Sequence, residues 1–146
     1  MSNLVRVIKL HPDAKLPTYG STEAAGADLY ACIDTPLTVH PGQTAWIPTG
    51  IALEVPKGCA GLIYARSGMA VKRDLAPANK VGVIDSDYRG EIKVVLLNHG
   101  LQEQVIEPGE RIAQFVITPV LTPEYHLVDE LTNTDRGTGG FGSTGC

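Results

Sequence analysis

The sequence predicts an all-β fold, a β-sandwich or jelly roll with at most one short helix and a flexible, glycine-rich C-terminal tail. Short apolar or alternating runs recur along the chain, and sixteen glycines and ten prolines separate them. Long stretches of helix-forming residues at helical spacing are absent. About ten short strands divided by turn signals are typical of sandwiches and jelly rolls.

The predicted elements follow one another closely from the N-terminus. The strand-like runs are residues 4–10, 28–31, 37–39, 44–47, 51–55, 59–64, 80–84, 91–98, 104–106 and 111–120. Only residues 67–74 favour a helical turn, which is too short to form a helical layer. In residues 79–98 two β-rich runs flank a turn, which predicts a β-hairpin with Asp85, Asp87, Tyr88 and Arg89 near its tip.

The domain organisation follows from length and composition. The 146 residues fit one domain, 1–146, and we find no internal repeat or linker. Residues 131–146 are predicted to be a mobile arm that closes over the active site. In this arm Arg136, Phe141, Ser143 and Thr144 interrupt the glycines and supply a cation, an aromatic ring and two hydroxyls. That combination suits a lid over a nucleotide phosphate, although such tails are usually disordered.

Charge and cysteine content narrow the classes of partner. The net charge is -4, which opposes a nucleic-acid polymer as ligand but leaves a small anion open. Cys32, Cys59 and Cys146 are odd in number and outside any CxxC pattern, which favours reduced thiols over a disulfide framework or a zinc site. No signal peptide or stretch of membrane-spanning length is evident, so we expect a soluble intracellular protein without a membrane partner.

Several segments carry candidate chemistry, each with an ordinary alternative. Arg66, Ser67 and Gly68 follow an apolar run and can present a guanidinium, a hydroxyl and N–H groups to an anion, although an Arg at a strand end is often simply solvated. Gln114 is expected to be a buried polar group that needs a partner. Asp28 follows small residues that also suit a structural bend. Taken alone, the carboxylates of the 79–98 segment favour an ordinary solvated turn.

In combination and in this order, five segments resemble the five motifs of the trimeric dUTPase family. The resemblance covers essentially the whole chain. Ala65 and Met69 replace the Pro and Leu that are frequent in the family, but neither change removes a functional group. The segments are AGADL at 25–29, ARSG at 65–68, GVIDSDYRG at 82–90, GERIAQ at 109–114 and RGTGGFGS at 136–143.

The resemblance implies a distorted jelly-roll barrel that hydrolyses dUTP to dUMP and pyrophosphate, which keeps uracil out of DNA and supplies dUMP for thymidylate synthesis. Asp85 would hold and deprotonate the water that attacks the α-phosphorus. Asp28 would orient the hydration shell of Mg²⁺ rather than bind the ion directly. The resemblance also implies a homotrimer with shared active sites, in the cytoplasm or, in a eukaryote, also in the nucleus.

The same resemblance assigns the substrate contacts. Tyr88 would pack under the deoxyribose and Phe141 over the base. The phosphates would be bound by Arg66, Ser67, Gly68 and Gln114, and by Arg136, Ser143 and Thr144 from the tail of another subunit. Gly142 of the tail would also contact the substrate. Uracil would be read by Asn79 and by the segment that contains Gly82, Val83, Ile84, Ile92 and Lys93.

Three alternative functions remain open from the sequence. The fold can serve as a nucleotide-binding or signalling module without catalysis, although the presence of Asp85 and Arg136 argues against it. A dCTP deaminase has a related fold, but the tail and the Asp85 segment resemble dUTPases more closely. A sugar-binding jelly roll fits the strand pattern, but the single tryptophan, Trp46, offers little surface for stacking sugars.

Overall fold

The computed structural model describes residues 4–145 and confirms the all-β prediction, with twelve strands and one short helix in that range. The strands are β1 (Val7–Lys9), β2 (Thr18–Tyr19), β3 (Ala27–Tyr30), β4 (Leu37–Val39), β5 (Thr44–Pro48), β6 (Ile51–Leu53), β7 (Cys59–Tyr64), β8 (Leu75–Pro77), β9 (Gly82–Ile84), β10 (Lys93–Asn98), β11 (Gln104–Ile106) and β12 (Arg111–Pro119). The helix, α1, is Ser67–Arg73.

The described strands form four antiparallel sheets. The largest has the order β2-β3-β12-β7-β9, and a second has the order β5-β10-β8. The pairs β1-β6 and β11-β4 complete the set. Most neighbours in these sheets are distant in sequence, so the candidate site residues are brought together by strand pairing rather than by local turns.

The core contains buried side chains from all four sheets, and alternation along the strands directs residues into it. In β10, Val94, Leu96 and Asn98 are buried while the residues between them are less covered, as expected for a strand with one buried face. Asn98 is fully buried, and its Nδ2 donates to the carbonyls of Val39 and Gln102 at 2.9 and 2.7 Å. These bonds offset the cost of burying an amide.

The predicted β-hairpin over residues 79–98 is wrong. β9 pairs with β7, whereas β10 pairs with β5 on one edge and with β8 on the other. Both edges of β10 are therefore occupied, and β9 has no edge of β10 left to join. Residues 85–92 form a connection between two sheets, which is too long for a tight two-residue turn.

Two short strands, β2 and β8, were not predicted because each has only two or three residues and no clear alternation. The ten predicted strands are confirmed to within a few residues at their ends. Helix α1 matches the predicted turn, and it is capped by Asp74, which adopts the left-handed conformation with φ 54°. Its only buried residue is Met69, which anchors it to the core.

After β12 the chain leaves the body of the protein. The amide of Val120 still donates to the carbonyl of Gly58 at 2.9 Å, and residues 121–145 contain neither helix nor strand. Large apolar side chains in this segment are almost wholly exposed, among them Leu121, Tyr125 and Leu127. No helix among the described residues is long and apolar enough to cross a membrane.

Two cysteines lie within the described residues, and both are free thiols. Cys59 is buried and Cys32 is partly buried. Burial raises the pKa of the Cys32 thiol, and the negative charges of Asp13, Glu91 and Asp34 raise it further. Cys146 lies outside the described residues.

Candidate functional site

Three strands meet at the first group of candidate residues. Asp28 on β3 lies opposite Gln114 on β12, and Gln114 in turn lies opposite Tyr64 at the end of β7. The chain then turns through Ala65 and Arg66 into α1. Gln114 Nε2 donates to the carbonyl of Ala65 at 2.8 Å, which gives this side chain the partner that the sequence required. We call Asp28, Arg66, Ser67, Arg111 and Gln114 the guanidinium cluster.

The electrostatics of this cluster centre on Asp28. Its side chain is 13% exposed, and Arg66 Nε donates to its Oδ1 at 2.8 Å. Arg111 Nη1 lies 3.4 Å from Oδ2 on the other side. Two guanidinium groups around one carboxylate leave a net positive charge, so the cluster is suited to an anion such as phosphate.

The guanidinium cluster lines an open cavity of about 230 Å³. Gly26 borders it, and a Cβ at this position would collide with Gln114 Oε1, so glycine keeps the Gln114 amide in place. Ser67 and Gly68 are exposed in the first turn of α1, where backbone N–H groups have no partner within the helix. The cavity therefore combines cations, a hydroxyl and N–H donors.

A second cavity, of about 90 Å³, lies between β9 and β10. β9 is the edge strand of the five-stranded sheet, and the carbonyl and amide groups on the outer side of an edge strand suit the edge of a nucleobase. The lining brings together the predicted residues Asn79, Gly82, Val83, Ile84 and Lys93 with Ile63, Pro77, Val94 and Val95, which were not predicted. We call this group the base cavity.

Ile92 does not line the base cavity. Its side chain is fully buried in the core. Its amide donates to the carbonyl of Ile51 at 2.9 Å, and its carbonyl accepts from the Thr49 hydroxyl at 2.5 Å. Both backbone groups of Ile92 therefore bond to the segment at the start of β6, and they are not available to a ligand in the base cavity.

The loop that carries Asp85 is held by its own side chains. Arg89 Nη1 donates to the carbonyls of Ser86 and Tyr88, at 2.8 and 3.1 Å. The Tyr88 hydroxyl donates to the carbonyl of Glu91 at 2.9 Å, and its ring lies against Gly90, where any Cβ would collide with it. Asp85 itself is exposed at the end of β9. The loop therefore presents a carboxylate to solvent from a fixed backbone.

Asp85 and Arg66 leave the five-stranded sheet in opposite directions. In the pairing of β9 with β7, Gly82 lies opposite Ile63 and Ile84 lies opposite Gly61. The chain therefore continues to Asp85 near the start of β7, whereas Arg66 follows its end at Tyr64. Gly61 and Tyr64 alone are about 10 Å apart at ~3.3 Å per residue. A single chain does not place Asp85 beside the guanidinium cluster.

The predicted tail residues lie apart from both cavities in the described chain. Arg136 Nε donates to the carbonyl of Gly139 at 2.7 Å, and Phe141 is fully exposed. Gly142, Ser143 and Thr144 are also exposed. The tail residues thus line neither the cavity of the guanidinium cluster nor the base cavity of the same chain.

A metal ion would find few direct ligands in the part of the chain that the structure describes. Within residues 4–145 no three His, Cys, Asp or Glu side chains are grouped so that they could hold an ion. Both oxygens of Asp28 face guanidinium groups. Direct coordination by Asp28 fits poorly, whereas contact through the waters of Mg²⁺, with direct ligands from substrate phosphates, fits the donor set.

Arg111 is the member of the guanidinium cluster that the sequence did not single out. The signal was present, because Arg111 stands in the GERIAQ segment two residues after a Pro-Gly turn. Its role becomes visible only through the pairing of β12 with β3, where Arg111 lies opposite Tyr30, two positions from Asp28.

Comparison with known proteins gives a consistent picture. The family model for dUTPase matches residues 12–145. A deoxyuridine 5'-triphosphate nucleotidohydrolase of Desulfitobacterium hafniense is 54% identical over 132 residues, which are 90% of this chain and 87% of the relative.

Solved structures agree with these relatives. A mutant dUTPase of Staphylococcus bacteriophage 80alpha with dUpNHpp has a TM-score of 0.91 and 29% identity, and covers 99% of this chain and 100% of its own. A mutant dUTPase from phage phi11 of S. aureus, described with a structural Mg(II) ion, has a TM-score of 0.81 and 25% identity. It covers 90% of this chain and 100% of its own.

Proposed function

Because this chain belongs to the dUTPase family, we propose that it hydrolyses dUTP to dUMP and pyrophosphate. The observation that carries this proposal is the guanidinium cluster, in which Asp28 holds Arg66 and Gln114 holds the backbone at Ala65. This arrangement fixes a cationic phosphate site before any substrate arrives, so little reorganisation is needed when charge develops on the pyrophosphate leaving group.

On this proposal Arg66, Ser67, Gly68 and Gln114 contact the phosphates. Arg66 is preorganised by the 2.8 Å bond to Asp28, which leaves its terminal Nη atoms free to point towards a ligand. Arg111 adds a second positive charge in the same cavity. The three phosphates of a nucleotide carry enough negative charge to offset both cations.

The reacting water is assigned to Asp85. An exposed carboxylate on a fixed loop can hold a water by a hydrogen bond and take its proton as it attacks the α-phosphorus. The electron pair of the broken P–O bond passes to the pyrophosphate, where Arg66 and the helix N–H groups stabilise it. The products are dUMP and pyrophosphate.

The base cavity is proposed to select uracil. Asn79 and the β9 backbone offer donors and acceptors to the edge of the base, and cytosine would leave some of them without a partner. Val83, Val94 and Val95 limit the space near the base, which disfavours the extra methyl of thymine. Tyr88 is proposed to pack against the deoxyribose, and Phe141 to cover the base from the tail.

Mg²⁺ is proposed as the cofactor; Asp28 would contact it through water, and the substrate phosphates would supply its direct ligands. When bound, it neutralises phosphate charge and holds the triphosphate in one conformation. The task of Asp28 in this chain is then twofold, because the same carboxylate orients Arg66.

We propose a homotrimer whose sites combine residues of different subunits. Two observations support it: Asp85 and Arg66 diverge within one chain, and the segment between β12 and the arm exposes Leu121, Tyr125 and Leu127, which would be costly without a partner surface. One domain, 1–146, would then lend its arm, 131–146, to a neighbour, with Arg136, Gly142, Ser143 and Thr144 contacting the substrate. Closed cyclic symmetry is the usual form of such assemblies.

The proposal is tested by measuring pyrophosphate release from dUTP, dCTP, dTTP and UTP, with Mg²⁺ and with a chelator. We expect release from dUTP alone, and a strong loss of rate in the chelator. Binding of dUTP without turnover would instead indicate a nucleotide-binding module. Ammonia release from dCTP would indicate a deaminase.

A further inference from the structure

Arg73, in the last turn of α1, contacts two other parts of the fold. Its Nε donates to Gln104 Oε1 at 3.2 Å and its Nη2 to the carbonyl of Val105 at 2.6 Å, both on β11. Its Nη1 donates to Glu110 Oε1, just before β12. All three nitrogens of the guanidinium therefore have partners, and the Arg73 and Glu110 side chains are about three quarters buried.

Glu110 is itself fixed on two sides. Its Oε2 accepts from the amide of Glu107 at 2.9 Å, which closes the turn before β12. Its carbonyl accepts from the amide of Ala31 at 2.8 Å, immediately after β3. Glu110 thus joins Arg73 to the strands that carry Asp28 and Gln114.

The segment 65–73 is consequently fastened at both ends. At its start, Gln114 holds Ala65 and Asp28 holds Arg66. At its end, Arg73 binds Glu110 and β11. Between these ends, α1 has seven residues, of which only Met69 is buried. A helix this short is marginal by itself, so its position depends on tertiary tethers.

We propose that Arg73 and Glu110 are positioning residues that hold α1 so that Ser67 and Gly68 in its first turn meet the triphosphate, an inference that rests on the proposed function. Neither residue lines the cavity of the guanidinium cluster, so both act through α1. The fork of arginine is required, because one ammonium group could not reach the Gln104 side chain, the Val105 carbonyl and Glu110 in their fixed directions.

The test compares Arg73→Met and Arg73→Lys with Lys72→Met. Lys72 is the neighbouring exposed cation in the same turn, so its loss has the same effect on net charge and on the helix dipole. For each protein we would measure the KM and kcat for dUTP, the thermal midpoint, and inhibition by inorganic pyrophosphate and by deoxyuridine. Pyrophosphate probes the phosphate side, and deoxyuridine probes the base cavity.

We expect Arg73→Met and Arg73→Lys to weaken pyrophosphate inhibition and raise the KM for dUTP by about tenfold, the scale of a lost charge-assisted hydrogen bond. Deoxyuridine inhibition should stay unchanged, and Lys72→Met should resemble the wild type. Adding Glu110→Gln to Arg73→Met should cause little further loss, because the two side chains act as one tether.

Two results would overturn the positioning role. One is a lower thermal midpoint with unchanged pyrophosphate inhibition and KM, which would make the tether purely structural. The other is an equal loss of pyrophosphate and deoxyuridine inhibition, which would mean general damage. Should the wild type fail to hydrolyse dUTP, the proposed function fails, while pyrophosphate binding to the same variants still decides whether Arg73 positions α1.

Discussion

Single side chains in this protein depend on neighbours that the sequence does not reveal. Asp28 was identified as a carboxylate after small residues, and the family resemblance implied a role towards Mg²⁺, yet its two oxygens engage Arg66 and Arg111. Those contacts arise from strand pairing, since Arg66 and Asp28 are far apart along the chain. The residue types of the cluster were therefore predictable, but the way in which Asp28 orients Arg66 was not.

Asp85→Asn tests the proposed base. The amide keeps the size of the side chain and can still hold a water, but it cannot accept a proton. We expect dUTP to bind with little change while turnover falls at least about a hundredfold, the scale of lost general-base catalysis. Equilibrium binding of dUpNHpp together with steady-state rates measures both quantities. Turnover close to that of the wild type would remove Asp85 from this role.

Tyr88 tests sugar discrimination. Its hydroxyl bonds Glu91 and its ring covers Gly90, so it supports the loop as well as any bound sugar. Tyr88→Phe removes only the hydroxyl and serves as the control for loop support. We expect Tyr88→Ala to lower the ratio of kcat/KM for dUTP over UTP by about tenfold, because space opens for the ribose 2′-hydroxyl. If Tyr88→Ala and Tyr88→Phe give the same ratio of kcat/KM for dUTP over UTP, Tyr88 only packs the loop and does not select the sugar.

The raised pKa of the Cys32 thiol makes both the stability of the fold and the reactivity of this thiol depend on pH. Because the folded protein holds this proton more tightly than the unfolded chain, the thiol favours folding below its ordinary pKa, and that contribution is lost as pH rises through the raised value. We expect Cys32 to react with iodoacetamide with a midpoint at higher pH than free glutathione. Peptide mass spectrometry resolves it from the other cysteines, and a midpoint at or below that of glutathione would contradict this expectation.

At the scale of elements, strand positions were more predictable than strand partners. Residues 80–84 and 91–98 contain β9 and β10, but their order suggested a hairpin that does not exist. Alternation in β10 marks which face is buried, and it carries no information about whether β5, β8 or β9 lies beside it. The base cavity depends on this arrangement, which explains why Val94 and Val95 were missed.

The tail is the element whose removal separates folding from activity. Deleting Arg136 to Cys146 takes away Phe141 as the main apolar residue, and Phe141 is fully exposed, so little buried area is lost. We expect an unchanged thermal midpoint and oligomeric state, with most dUTP hydrolysis abolished. Phe141→Ala in the full chain serves as a milder companion. Full activity in the truncated protein would show that the tail takes no part in catalysis.

At the scale of the whole molecule, the divergence of Asp85 and Arg66 predicts complementation between inactive chains. Asp85→Asn and Arg66→Ala chains should each be nearly inactive alone. Coexpressed at equal amounts, they should assemble so that about a quarter of the sites take both intact residues from different subunits. The measurement is the activity of the purified coexpressed protein. Its control is a mixture of the two parent proteins, purified separately and combined under conditions in which subunits do not exchange. A coexpressed protein as inactive as its parents would mean that each site lies within one chain.

The pairing register of β9 on β7 also has a genetic consequence. If each centre draws on more than one gene product, a cell with two alleles does not simply add their outputs. If an allele encodes a chain that folds but is defective, that chain would inactivate centres that also contain normal chains, so the effect of the allele would be dominant. An allele too unstable to assemble would be recessive, because its product never joins the others. The more damaging mutations would thus be the ones that leave the fold intact.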